Sequence, residues 1–159
     1  MLISQILTPE RMLCNVQVNH SKRRLLEHLG QLFAKSFPEL DSLEVYQQLF
    51  NRERLGSTGI GRGVAIPHAR LANLDETVAA FMSLEQGIGF DAIDDKPVDL
   101  VFALLVPAKD GHDATQHLQV LAYLAAMFSD ETFCQQLRSQ TTIDSQYQLM
   151  VAWQPPADL

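Results

Sequence analysis

Leu25, Leu26, Leu29, Leu32 and Phe33 recur at helical spacing and predict an amphipathic helix over about residues 21–36, with Ser21 as its N-cap. Pro38 closes that segment. Asp41 then predicts the start of a second helix, with Glu44 three residues on as in a capping box. Leu43, Tyr46, Leu49 and Phe50 form its expected apolar face, and Gly56 its stop. Residues 56–63 carry no apolar period and read as a loop; Val64-Ala65-Ile66 is a candidate short strand. Val78 to Leu84 and Val98 to Val106 are short apolar runs, the pattern of buried strands. Between them Gly87 and Gly89, then Asp94-Asp95-Lys96-Pro97, read as turns. After Thr115 a helix is predicted with a stripe of Leu118, Leu121, Leu124, Ala125 and Phe128. Asp130 and Asp144 are expected to cap two further short helices ending near Trp153. A helix pair, then strands, then helices implies an α/β or α+β sheet with helices packed on it. The expected organisation is one domain over residues 1–153 and a flexible tail over 154–159.

Bulk properties narrow the function. A chain of 159 residues is long enough to bury a core without disulfide or metal staples. Its net charge of −7 argues against a general nucleic-acid binder or an anionic-membrane binder. Cys14 and Cys134 stand alone, outside any Cys-x-x-Cys pattern, which fits a reducing compartment. The first residues lack the basic and apolar regions of a signal peptide, and the longest charge-free apolar run, Leu100 to Ala108, is too short to cross a bilayer. The expected location is the cytoplasm.

Charge is distributed unevenly. Residues 52–70 hold four arginines against one glutamate, a net +3, so the remainder of the chain carries −10. Gly59, Gly61 and Gly63 in that segment do not match the dinucleotide fingerprint, because the third glycine comes one residue early, and no Gly-Lys-Ser/Thr follows to make a P-loop. The loop is either a plain flexible turn or an anion cradle: glycines let backbone N–H groups approach an anion closely, and Ser57 and Thr58 add hydroxyl donors. His68 follows Pro67, whose ring fixes its own φ and restricts Ile66, so the approach to the imidazole is stiff. A lone histidine is more often structural than catalytic. This one, neutral for the most part at pH 7, can attack phosphorus, and the dianion so formed would need donors such as the planar fork of Arg54. The competing reading of Arg52, Arg54, Arg62 and Arg70 is a solvated surface.

His117 falls in the first turn of the Leu118 helix, where the helix dipole favours an anion and a neutral imidazole. It could donate to a phosphoryl group or steady the ring of His68. His112 and His117, five residues apart, do not match a helical zinc pair, and no metal is expected. His20 and His28 read as exposed bystanders, and Asp91, Asp94, Asp95 and Asp99 as a solvated loop.

Arg54-x-Gly56-Ser57-Thr58-Gly59-Ile60-Gly61 followed by Ala65-Ile66-Pro67-His68 resembles the signature of phosphotransferase-system enzyme IIA proteins of the fructose/mannitol class, and most of all their nitrogen-related branch. Phe90-Asp91-Ala92-Ile93-Asp94, the run from Pro97 to Pro107, and His117-Leu118 resemble that branch too, so the likeness covers about residues 2–152. It implies a three-layer α/β/α sandwich with a mixed sheet. It implies phosphorylation of His68, with His117 as second active-site histidine and Arg54, Ser57, Thr58 and Gly59 around the phosphoryl group. The implied donor is an HPr-like phosphocarrier, NPr, and the implied role is a regulator read by other proteins through its phosphorylation state, without cofactor. The alternative role is a sugar-specific component passing phosphate to a IIB domain. Arg62 stands where relatives often have asparagine, and Ala69-Arg70 where Gly-Lys is common, which bears on partner choice.

Overall fold

The computed structural model describes residues 3–18, 21–108 and 114–156. Six strands form one mixed sheet: β1 (Met12–Val16), β2 (Gly59–Gly61), β3 (Val64–Ala65), β4 (His68–Leu71), β5 (Val78–Ile88) and β6 (Val98–Pro107). The order is β1-β5-β6-β3-β2, and β4 continues along β6 beyond β3. β6 runs antiparallel to β5 and parallel to both β3 and β4. The helices are α1 (Lys22–Ser36), α2 (Ser42–Leu55), α3 (Ala114–Ser129), α4 (Glu131–Ser139) and α5 (Ile143–Ala152).

Alternation along β5 and β6 sends side chains to two cores. Ala80, Met82, Val101, Ala103 and Leu105 meet α1 and α2 on one face. Ala79, Phe81, Leu100, Phe102 and Leu104 meet α3, α4 and α5 on the other. The sheet is therefore covered on both faces, the α/β/α arrangement, with β6 buried from Leu100 to Pro107 and β5 from Val78 to Leu84.

Several elements differ from their sequence expectation. β5 extends through Gly87 to Ile88, so Gly87 lies in a strand and not a turn; a Cβ there would come within 2.9 Å of Pro97. Thr142, not Asp144, caps α5, accepting from the Ser145 N–H. Leu118 is exposed, whereas Leu121 packs partly buried against the core and Leu124, Met127 and Phe128 are buried in it. In α2 the buried stripe is Val45, Leu49 and Glu53, while Leu43 and Phe50 face outward. Pairing with α1 sets that phase: the helices approach so closely at Gly30 that an added Cβ would lie 2.5 Å from the Ser42 carbonyl oxygen. Gly30→Ala should therefore lose about 1–2 kcal/mol despite alanine's better helix propensity, seen as a lower urea midpoint with unchanged slope.

Candidate active site

β3 and β4 follow β6 in one line, interrupted at Ile66-Pro67, where proline offers no N–H to a ladder. Pro67 is itself anchored, its carbonyl accepting from the Leu104 N–H at 2.9 Å, and His68 then stands in register with Leu104. The histidine is thus held by the middle of the sheet while its ring points to an open cleft of about 410 Å³. The cleft is walled by Gln48, Asn51, Arg52 and Leu55 of α2, by Arg70 of β4, and by His117 of α3.

His68 Nδ1 lies 2.9 Å from the Ile66 carbonyl oxygen. A carbonyl can only accept, so Nδ1 carries the proton and Nε2 keeps its lone pair. Burial lowers the His68 pKa below its ordinary value; the Ile66 hydrogen bond and Glu53 pull it up, and Arg52 pushes it further down. The net result is a ring that is neutral at pH 7. The rings of His68 and His117 stand 5.6 Å apart at 57°.

The structure brings His117 to His68 and assigns the arginine differently from the sequence expectation. Arg54 does not line the cleft; it lies with Lys22, Arg23, Leu26, Phe50 and Glu53 in a separate depression between α1 and α2. Two residues of helix rotate a side chain by about 200°, so Arg52 and Arg54 cannot share a face. Arg52 is the one that reaches the cleft, with one N–H donated to the Gly56 carbonyl at 2.8 Å, which also closes the end of α2.

Ser57, Thr58 and Gly59 are likewise outside the cleft lining, and their donors serve the fold. Ser57 Oγ donates to the Phe90 carbonyl at 2.6 Å and accepts from the Gly59 N–H at 3.0 Å. The Thr58 N–H and hydroxyl both donate to the Glu53 carboxylate. Gly59 is required by contact, since a Cβ would fall 2.8 Å from that of Ala92. Arg62 adopts a left-handed φ of 59° and bonds to Ser129, remote from the cleft lining. His28 is half-buried on α1, and His20 and His112 lie outside the described residues. Among the described residues no group of three or more His, Cys, Asp or Glu side chains could hold a metal. Nor is any described helix long and apolar enough to cross a membrane.

A mixed sheet covered on both faces thus presents two neighbouring imidazoles and an arginine at one cleft. Residues 5–152 match the family described as phosphoenolpyruvate-dependent sugar phosphotransferase system, EIIA 2, and the chain belongs to that family. Within it the similarity falls on the nitrogen-regulatory branch. The chain is 42% identical to the nitrogen regulatory protein of Pseudomonas aeruginosa over 94% of each chain. It is 44% identical to that of Escherichia coli over 82% of this chain and 78% of the other. The crystal structure of nitrogen regulatory protein IIA-Ntr from Neisseria meningitidis superposes with a TM-score of 0.85 at 38% identity, covering 93% of this chain and 98% of that one.

Proposed function

We propose that His68 accepts a phosphoryl group on Nε2 from a phosphohistidine of an HPr-like carrier, NPr, and that other proteins read the resulting state. The observation that carries this reading is the Nδ1–Ile66 hydrogen bond, because it leaves a single nucleophilic lone pair aimed at a cleft flanked by arginine. In the transfer, the Nε2 lone pair forms the new P–N bond. The P–N bond of the donor breaks, and its electron pair returns to the donor imidazole. No water is consumed. The ring of His68 gains positive character as the bond forms, and the Ile66 carbonyl sits where that charge develops. Arg52 offers its fork to the equatorial oxygens, Arg70 adds positive potential at the cleft edge, and His117 can donate from the opposite wall. Positioning and charge carry the catalysis, and the phosphoryl group is held stoichiometrically.

The test is side-by-side phosphorylation by NPr-type and HPr-type donors, followed by intact mass. The expected result is a gain of one phosphoryl group, faster from the NPr-type donor; equal or faster transfer from the HPr-type donor would move the protein toward sugar uptake. The same assay reports the state of the ring. Because the pKa of His68 is lowered, the neutral acceptor persists on acidification past about pH 6.5, and the rate should fall only below that value. A rate already halved above pH 6.5 would mean a raised pKa and a different environment.

A further inference from the structure

We propose that Glu53 is a positioning residue for His68, acting through separate hydrogen bonds that tie its carboxylate to Thr58, Thr58 to Ile66, and Ile66 to the imidazole. The proposal rests on the reading of His68 as phosphoryl acceptor. Every link donates in the same direction. His68 Nδ1–H donates to the Ile66 carbonyl at 2.9 Å. The Ile66 N–H donates to the Thr58 carbonyl at 3.0 Å. The Thr58 N–H donates to both Glu53 carboxylate oxygens at 3.2 Å, and the Thr58 hydroxyl donates to one of them. These links meet at Cα atoms, so they act by fixing the backbone that presents the Ile66 carbonyl, which keeps the proton on Nδ1, while the Glu53 charge acts on the ring through space and raises its pKa.

Glu53 is built for a fixed role. It is the one carboxylate among the buried polar residues described, 8% exposed, at the position where the Val45–Leu49 stripe of α2 would otherwise place an apolar side chain. Burying a carboxylate is costly unless it is paired and hydrogen-bonded. Lys22, at the start of α1, supplies the pairing: its ammonium is 2.9 Å from Glu53 Oε2 and lies 4.3 Å from the centre of the Phe90 ring. The Phe90 carbonyl in turn accepts from Lys22 and from Ser57. The turn after α2 is therefore clamped on both sides, and the antiparallel pairing of β2 with β3 carries that clamp on to Ile66, whose carbonyl holds His68.

The charged and titratable groups facing His68 are Arg52 and Glu53 from α2, Arg70 from β4 and His117 from α3. Among the described residues, Glu53 is the carboxylate that acts on the ring. Removing its charge should lower the His68 pKa, the direction opposite to the loss of Arg52.

The experiment uses the full chain and two variants, with the His68 pKa and tautomer followed by nitrogen-15 NMR of the imidazole and transfer rates measured from a charged phosphocarrier. Glu53→Gln is isosteric and removes the charge. It should lower the His68 pKa and slow the maximum transfer rate about tenfold, with the donor concentration at half-saturation unchanged. Asp94→Ala removes a different brace of the same loop, the bond it accepts from the Arg62 N–H, without touching Glu53, Thr58 or Ile66, and should leave the His68 pKa, tautomer and rate as in the parent protein. An unchanged pKa and rate in Glu53→Gln would overturn the proposal. So would equal changes in Asp94→Ala, because loosening of the loop would then explain both. If the parent protein accepts no phosphoryl group, the acceptor reading fails by itself, and the NMR comparison still decides whether Glu53 sets the state of the ring.

Discussion

Replacing His68 with alanine is expected to abolish phosphoryl acceptance altogether, with no residual slow phase. The cleft contains one imidazole whose Nδ1 is committed to a backbone carbonyl and whose Nε2 is free to attack. His117 stands 5.6 Å away, ring to ring, but it belongs to α3 and lacks the Ile66 anchor that fixes the attacking nitrogen of His68. The loss should leave the fold intact, because the β4 register rests on backbone pairing with β6 and His68 is only half-buried. Intact mass after incubation with a charged phosphocarrier, together with an unchanged circular dichroism spectrum, is the check. A phosphoryl group that still attaches to the alanine variant would place the acceptor elsewhere.

The second large effect separates two arginines that stand two residues apart. Arg52→Ala should slow phosphoryl transfer to His68 about a hundredfold or more, the cost of removing a donor aimed at developing charge in a partly enclosed site. Arg54→Ala should change the rate by no more than about twofold, because the side chain lies on the α1 side of α2. Arg52→Ala should also raise the His68 pKa, since the arginine's positive charge holds it down. An equal loss in both variants would show that bulk positive charge, and not the placement of one guanidinium, carries the transfer.

That contrast shows where the sequence was legible and where it was not. The period of Leu25, Leu26, Leu29, Leu32 and Phe33 was sufficient for α1, because a helix that buries one face writes that face in the chain. The apolar runs of β5 and β6 were visible for the same reason. β1 was missed: Met12-Leu13-Cys14-Asn15-Val16 is short, Asn15 sits at a left-handed φ of 53°, and the register with β5 shifts there. β4 was missed because His-Ala-Arg-Leu does not look like a strand until the parallel edge of β6 is available to pair with it. The fault at Arg54 is one of phase. Which face of α2 meets His68 depends on how α2 packs on α1 and β4, a tertiary fact. One signal was nevertheless present: Glu53 continues the Val45–Leu49 spacing, and a carboxylate on an apolar stripe marks the inward side, putting Arg52 and Arg54 on opposite flanks of it. The loop donors show a different limit. Ser57, Thr58 and Gly59 have the chemistry of an anion cradle, but the same N–H and O–H groups are taken by Glu53 and Phe90 once the loop is folded.

The anchoring of His68 also says how its phosphorylation can be sensed. Its backbone is fixed between Pro67, bonded to Leu104, and Ala69, paired with Leu105. A phosphate added to the ring would rest on a strand held by its pairing with β6. It changes the surface by two negative charges and a handful of oxygens, in place, on an arginine-edged hollow. On the proposed reading, a protein that distinguishes the two states would touch that hollow itself, target and donor would compete for the same ground, and a bound target would shield the label from the carrier that wrote it.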